Sequence, residues 1–293
     1  MNIRPACWRV RLIAAAACGA AIFAPGCAPS TILMPDMSVL PVSTAPSYAD
    51  RDWAVVLRDY VRYGLVDYDS LAANRQVLER YYALLAVTGP ASTPEQFPSP
   101  AHATAYYLNA YNALVIRAVL ERYPVTTMYD LSMPRLEHDY QFKVDGRVCN
   151  LAAVEDEMLR SSDGDARTLL ATCRAAMGTP RLPNQPYQAT LLERQLAEAA
   201  AEVLDNPDLF RIDHAARTIY IWQLVERRQD EFVTFWKMRR RVRAGYLFNV
   251  LLELASPERR RAIQGAVGYA IRAMPFDRTL NRWSPDAGKP VAP

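Results

Sequence analysis

The sequence predicts an α+β fold: a predominantly helical single domain with a small antiparallel or mixed sheet. Three observations carry this. Apolar residues recur at helical spacing through much of residues 50–283. Strand signals are few and short, and most of them pair as hairpins. The roughly 240 residues after the N-terminal region hold no internal repeat and no second linker, which fits one domain.

The elements follow in order. Trp53, Val56, Leu57, Tyr60 and Val61 fall on one helical face. Residues 101–123 read as a longer helix that stops before Pro124, because proline disfavours helical geometry in the residue before it. Gln141–Val144 and Arg147–Cys149 flank Asp145-Gly146, a strong hairpin turn. Asn150 can cap a helix running to about Arg160. Thr168–Cys173 is compact and rich in Leu and Thr, as a buried strand would be. Thr190-Leu-Leu-Glu193 reads as a capping box opening a helix to about Leu204. Phe210–Asp213 and Thr218–Trp222 read as a second hairpin around His214-Ala-Ala. Ser256-Pro257 supplies a cap followed by proline at the first helical position.

The N-terminus carries a different message. Arg4, Arg9 and Arg11 precede an apolar run from Leu12 to Phe23. That run is shorter than the about 20 residues a membrane span needs, and has the length of a signal-peptide core. Residues 1–26 are therefore expected to be a signal peptide. Ala24-Pro-Gly-Cys27 resembles the lipobox of bacterial lipoproteins, which implies lipidation at Cys27. The resemblance implies a place on the periplasmic side of the outer membrane. Ordinary signal cleavage would instead leave a soluble periplasmic protein. Residues 27–49, with Pro29, Pro35, Pro41 and Pro46, read as a Pro-rich tether. Its apolar residues, Ile32 and Leu33 among them, could instead lie on the domain. Residues 284–293 read as a flexible tail.

Charge and cysteines sort along the same line. The chain has 34 Lys and Arg against 31 Asp and Glu. Residues 1–26 hold three Arg and no acid, so the remainder has 31 of each. A neutral body lacks the basic footprint of a nucleic-acid binder. Beyond Cys27 only Cys149 and Cys173 remain, either as one disulfide or as two buried thiols. No HExxH, CxxC, EF-hand loop, glycine-rich phosphate loop or GxSxG elbow occurs, so neither a metal site nor a cofactor is expected.

One segment is distinctive: Ala105-Tyr-Tyr-Leu-Asn-Ala-Tyr-Asn-Ala-Leu-Val-Ile, continuing to Tyr123-Pro124. It resembles the AFWINxYNALVIxxVLxxYP signature of the domain-of-unknown-function 547 family. Gly64-Leu-Val-Asp-Tyr68, residues 150–160, residues 165–180 and Phe276-Asp-Arg-Thr-Leu-Asn281 resemble further family blocks in the same order. The resemblance spans residues 50–283. It also exposes departures. Where the family block carries a His and two Cys, this chain has Leu169, Arg174 and Thr179, and Cys173 sits one place away. Two family aromatics correspond to Arg227 and Arg228.

Candidate site residues follow from both readings. Asn109 and Asn112 share a helix face and could line a ligand cleft with Glu155 and Arg160, or could fasten the helix to a loop. Glu155 is also a candidate acid–base group, against an ion pair with Arg160 or Arg167. Cys173 with His138 is the one thiol dyad the sequence allows. The basic runs at 237–243 and 258–261 could touch anionic headgroups, or be solvated helix faces. The leading expectation is a lipid-anchored envelope protein that acts as a binding or assembly module for a peptide, a glycan or another envelope protein, with enzymatic activity less favoured but left open. The competing expectation is a thiol-dependent hydrolase or transferase, or a degenerate relative of one.

Overall fold

A computed structural model describes residues 31–40, 46–128 and 136–285. The signal-peptide segment and Cys27 lie outside the described residues. Among those residues the fold is α+β and predominantly helical, with three small sheets where the sequence suggested one.

The helix Pro100–Arg122 is the axis of the domain. Every residue from Thr104 to Leu120 is buried. A helix that is buried all round needs neighbours on every side. Helix Leu151–Ser161 packs along it, and helix Gln76–Val87 covers another face. Helix Arg51–Tyr60 lies outside Gln76–Val87, with Trp53 stacked on Tyr81 at 5.9 Å between ring centroids.

The predicted hairpin is present as Tyr140–Val144 paired with Arg147–Asn150. Its turn residues Asp145 and Gly146 both have positive φ, 52° and 76°, as a type I′ turn requires. The Asp145 carboxylate is buried and accepts from the backbone N–H of Ala91 and of Ser92 and from the Tyr107 hydroxyl. Gly89 makes this docking possible. A Cβ there would sit 2.4 Å from the Asp145 carboxyl. Thr31–Leu33 adds a parallel third strand against Tyr140–Phe142, so Leu33 lies buried on the domain.

Asn150 caps helix Leu151–Ser161, accepting from Ala153 N–H at 2.9 Å. Ser256 caps helix Pro257–Gln264 in the same manner. The second hairpin, Phe210–Asp213 with Thr218–Ile221, gains a parallel strand from Ala270–Ala273.

Two expectations fail. Thr168–Cys173 is not a strand: Arg167–Leu170 is a helical turn followed by irregular chain. Local side-chain bonds outcompete a ladder here. Asp165 accepts from the backbone N–H of Arg167, the Thr168 hydroxyl donates to Asp165 O, and the Thr172 hydroxyl donates to Leu169 O. The capping box at Thr190 is also absent. The helix begins at Leu192 without a side-chain cap. Glu193 instead pairs with Arg167 and Arg239. Charge-assisted bonds to two guanidiniums are stronger than one bond to a backbone N–H.

Candidate functional site

The two asparagines place the chain that forms the site. Asn109 Nδ2 donates to Tyr187 O at 2.9 Å, and its Oδ1 accepts from Tyr187 N–H at 2.8 Å. Asn112 does the same across a gap: it donates to Ala171 O at 3.0 Å and accepts from Cys173 N–H at 2.8 Å. Both side chains are buried, and both are bound to backbone. They fasten the irregular segment after Leu170 to the central helix. Neither is among the residues that line the cleft around Arg174.

The segment they hold carries Arg174 and Thr179 into a cleft of about 360 Å³. Its walls come from distant parts of the chain. Glu137 stands on the helical turn Leu136–Asp139, and Glu155 on helix Leu151–Ser161. Trp222, Arg227 and Arg228 come from around helix Gln223–Arg227. Phe276 and Arg278 come from the chain after the last strand. Four guanidiniums thus face two carboxylates in one opening.

Arg174 is the buried member, with its side chain 9% exposed. It pairs with Glu137 and with Glu155. Its cation lies 5.6 Å from the Tyr111 ring centre and 6.0 Å from that of Trp222. Such faces attract a cation. Arg174 Nε is buried without a hydrogen-bond partner. Burial works against the charged form of Arg174, and Arg228 and Arg227 add to that pressure. A guanidinium keeps its proton regardless, so the strain is carried as unmet demand for anionic partners.

Glu155 answers part of that demand. Burial pushes its carboxyl above the usual range, and the Arg228 cation opposes the shift. Arg228 also pairs with Glu231 at 2.6 Å. Arg227 is exposed and makes no hydrogen bond or ion pair among the described residues.

The structure therefore pairs Glu155 with Arg174 and Arg228, not with Arg160 or Arg167. Arg160 is exposed and binds Glu157 outside the cleft. Arg167 is committed to Asp165 and Glu193.

Cys173 lies behind the cleft, 2% exposed. Its sulfur accepts from Asn281 Nδ2 at 3.1 Å, and Asn281 Oδ1 accepts from the Tyr68 hydroxyl at 2.9 Å. Three of the sequence blocks meet at this point. Burial pushes the thiol up to about 11. His138 is exposed and its carbonyl, not its ring, is engaged with Gln141 and Asn150. The structure does not bring the two together as a dyad, because one points into the core and the other toward water. Cys149 and Cys173 are both free thiols. A thiol-specific chromophore is expected to leave Cys173 unmodified in the native protein and to titrate it only after unfolding. Rapid native labelling of Cys173 would show a thiolate that this setting does not support.

Thr179, the hydroxyl in the cleft wall, donates to Ala176 O at 2.7 Å and accepts from Arg174 N–H at 3.3 Å. It is occupied in holding the turn. Among the described residues no group of three His, Cys, Asp or Glu side chains could hold a metal ion. No helix there is long and apolar enough to cross a membrane.

Sequence reasoning found Glu155 and missed Glu137, Arg278 and Trp222. Arg174, Thr179, Arg227 and Arg228 had been singled out only as departures from the family pattern. All four line this one cleft. Leu169, the fifth departure, is buried in the core instead.

Comparison with known proteins agrees with the central blocks. Residues 95–204 match the family model described as "Protein of unknown function, DUF547". No curated protein and no solved structure matches the chain.

Proposed function

Starting from the match of residues 95–204 to the DUF547 family model, we propose that this domain is a binding module whose cleft takes an acidic peptide segment. The observation that carries the reading is Arg227, an exposed cation lining the cleft beside Arg174 and Arg228 that makes no hydrogen bond or ion pair among the described residues. Guanidiniums recognise carboxylates through paired, charge-assisted hydrogen bonds. Trp222, Leu224 and Phe276 supply apolar contact beside them. That combination suits a carboxylate side chain with an apolar neighbour. The volume is in the range of small-ligand clefts.

Arg227 is the free hand of the site, and Arg174 and Arg228 are its fixed support. A ligand carboxylate would reach Arg227 first and then share Arg228 with Glu231. Thermal unfolding in the presence of short peptides tests this. Peptides alternating Glu with Leu are expected to raise the midpoint at fixed ionic strength, and their Gln counterparts to leave it unchanged. Equal shifts from both sets would refute charge recognition.

The same reading places the module in the cell envelope, anchored through Cys27. Support comes from the basic start, the short apolar core and the small residues before Cys27. Fatty-acid labelling in the producing bacterium is expected for the natural chain and not for Cys27→Ala. Labelling that survives Cys27→Ala would remove the anchor from this position.

A further inference from the structure

We propose that residues 237–246 form a docking surface for an anionic lipid bilayer. This surface lies apart from the cleft and shares no residue with it.

The segment reads Lys-Met-Arg-Arg-Arg-Val-Arg-Ala-Gly-Tyr, five cations with no acid. It spans the end of helix Gln229–Arg240 and the loop before helix Leu247–Leu254. Two of its cations are already committed. Arg239 pairs with Glu193, and Arg240 with Glu253. Lys237, Arg241 and Arg243 make no hydrogen bond or ion pair through their side chains among the described residues.

Large apolar and aromatic side chains stand among these cations. Met238 is 57%, Val242 40% and Tyr246 76% exposed. A merely solvated face has no use for three such side chains in nine residues. Cations interleaved with exposed apolar groups are what an interfacial segment presents to anionic headgroups and the acyl boundary.

The loop is built rather than loose. Arg241 sits in the left-handed region, φ 55° and ψ 41°, where glycine would cost less. Its N–H bonds Met238 O, and Val242 N–H bonds Lys237 O. Gly245 lies against the Trp236 ring, where a Cβ would come within 2.4 Å. Asn249 Oδ1 accepts from Tyr246 N–H at 3.0 Å. The backbone is thus held at both ends, while Met238, Arg241, Val242, Arg243 and Tyr246 present exposed side chains.

A bilayer fits better than a polyanion such as nucleic acid. Outside residues 1–26 bases and acids balance, so the broad basic footprint of a nucleic-acid binder is lacking, whereas this patch sets three cations, unpaired among the described residues, beside aliphatic groups. Phosphate-backbone binding would leave Met238 and Val242 without a partner.

Vesicle co-sedimentation of the full chain tests the proposal. Phosphatidylcholine vesicles are compared with vesicles that also contain phosphatidylglycerol. The variants are a triple charge reversal (Lys237→Glu, Arg241→Glu, Arg243→Glu) and a triple apolar removal (Met238→Ser, Val242→Ser, Tyr246→Ser). All are compared in the same chain, so any contribution of the N-terminal segment or of Cys27 cancels. The natural chain is expected to prefer the anionic vesicles, and the charge variant to lose that preference by about tenfold or more. The apolar variant is expected to bind weakly and to dissociate in high salt. Circular dichroism melts should be unchanged, since every altered side chain except Lys237 is exposed and none is paired. Equal binding of natural chain and charge variant, or tighter binding to DNA or polyglutamate than to the anionic vesicles, would overturn it.

Discussion

Arg174→Ala is expected to destabilise the fold by about 3–5 kcal/mol, the cost of removing one partner from a buried ion pair. The side chains of Arg174 and Glu155 are 9% and 12% exposed, so water replaces little of what is lost. Glu155 keeps Arg228 but loses its second cation, and Glu137 loses its one cation among the described residues. The pH dependence fixes the cause. Burial already raises the Glu155 carboxyl above its ordinary value, and losing Arg174 raises it further. A folded-state value above the unfolded one means that the native state holds more protons in that interval. Stability therefore falls as pH rises from the ordinary carboxylate value through the raised one. Urea denaturation should show a larger penalty for the variant at about pH 8 than at about pH 5. A second variant, Arg174→Met with Glu155→Leu, should recover part of the loss, because it removes the more buried carboxylate deprived of a cation, while Glu137, with its side chain 32% exposed, is left to water. A pH-independent penalty of the same size would mean that Arg174 contributes packing and not charge.

The second large effect lies at Asn112. Asn112→Ala removes a donor to Ala171 O and an acceptor from Cys173 N–H, both buried. The Cys173 N–H is left unsatisfied, and Ala171 O keeps only the Tyr187 hydroxyl at 3.4 Å, so the loss should cost about 2–3 kcal/mol. The loss also frees the segment that carries Arg174, so ligand affinity should fall although Asn112 touches no ligand. Asn109→Ala removes an equivalent pair at Tyr187, well along the chain from Arg174. It should cost similar stability with less effect on the cleft. Chemical denaturation of both variants, together with amide exchange at Cys173, separates the two roles. Equal loss of affinity in both would mean that global loosening, not the local fastening, governs the cleft.

Much of the scaffold was legible because its signals are local. Asp145-Gly146 needs two positive φ values, and few other pairs supply them as cheaply. Asn150 and Ser256 cap with their own side chains. Pro124 ends the central helix by sterics alone. Thr168–Cys173 misled for a physical reason. Thr hydroxyls that suit a strand also bond to nearby carbonyls, and Asp165 just upstream tipped that balance toward a turn.

The cleft was only partly legible because nothing about it is local. Glu155 was recognisable as a candidate, but its partners lie 19 and 73 residues away in sequence. Glu137 and Arg278 are 141 positions apart, and no spacing rule links them. The asparagine pair was legible as one face of a helix. Which backbone groups it would bind depended on how residues 171–187 fold across it. The departures at Arg174, Thr179, Arg227 and Arg228 were visible as separate oddities. Their convergence on one opening is a tertiary fact, and three of the four give that opening its cationic lining.

The most direct test of that lining is calorimetric titration with a Glu-Leu-Glu peptide, comparing the natural chain with Arg227→Gln. Arg227 is exposed and has no partner to lose among the described residues, so the variant should fold with unchanged stability. The account predicts saturable one-to-one binding to the natural chain and at least about tenfold weaker binding to Arg227→Gln, the loss expected from one charge-assisted contact. Identical affinities in the two proteins, or no saturable binding to either, would contradict it.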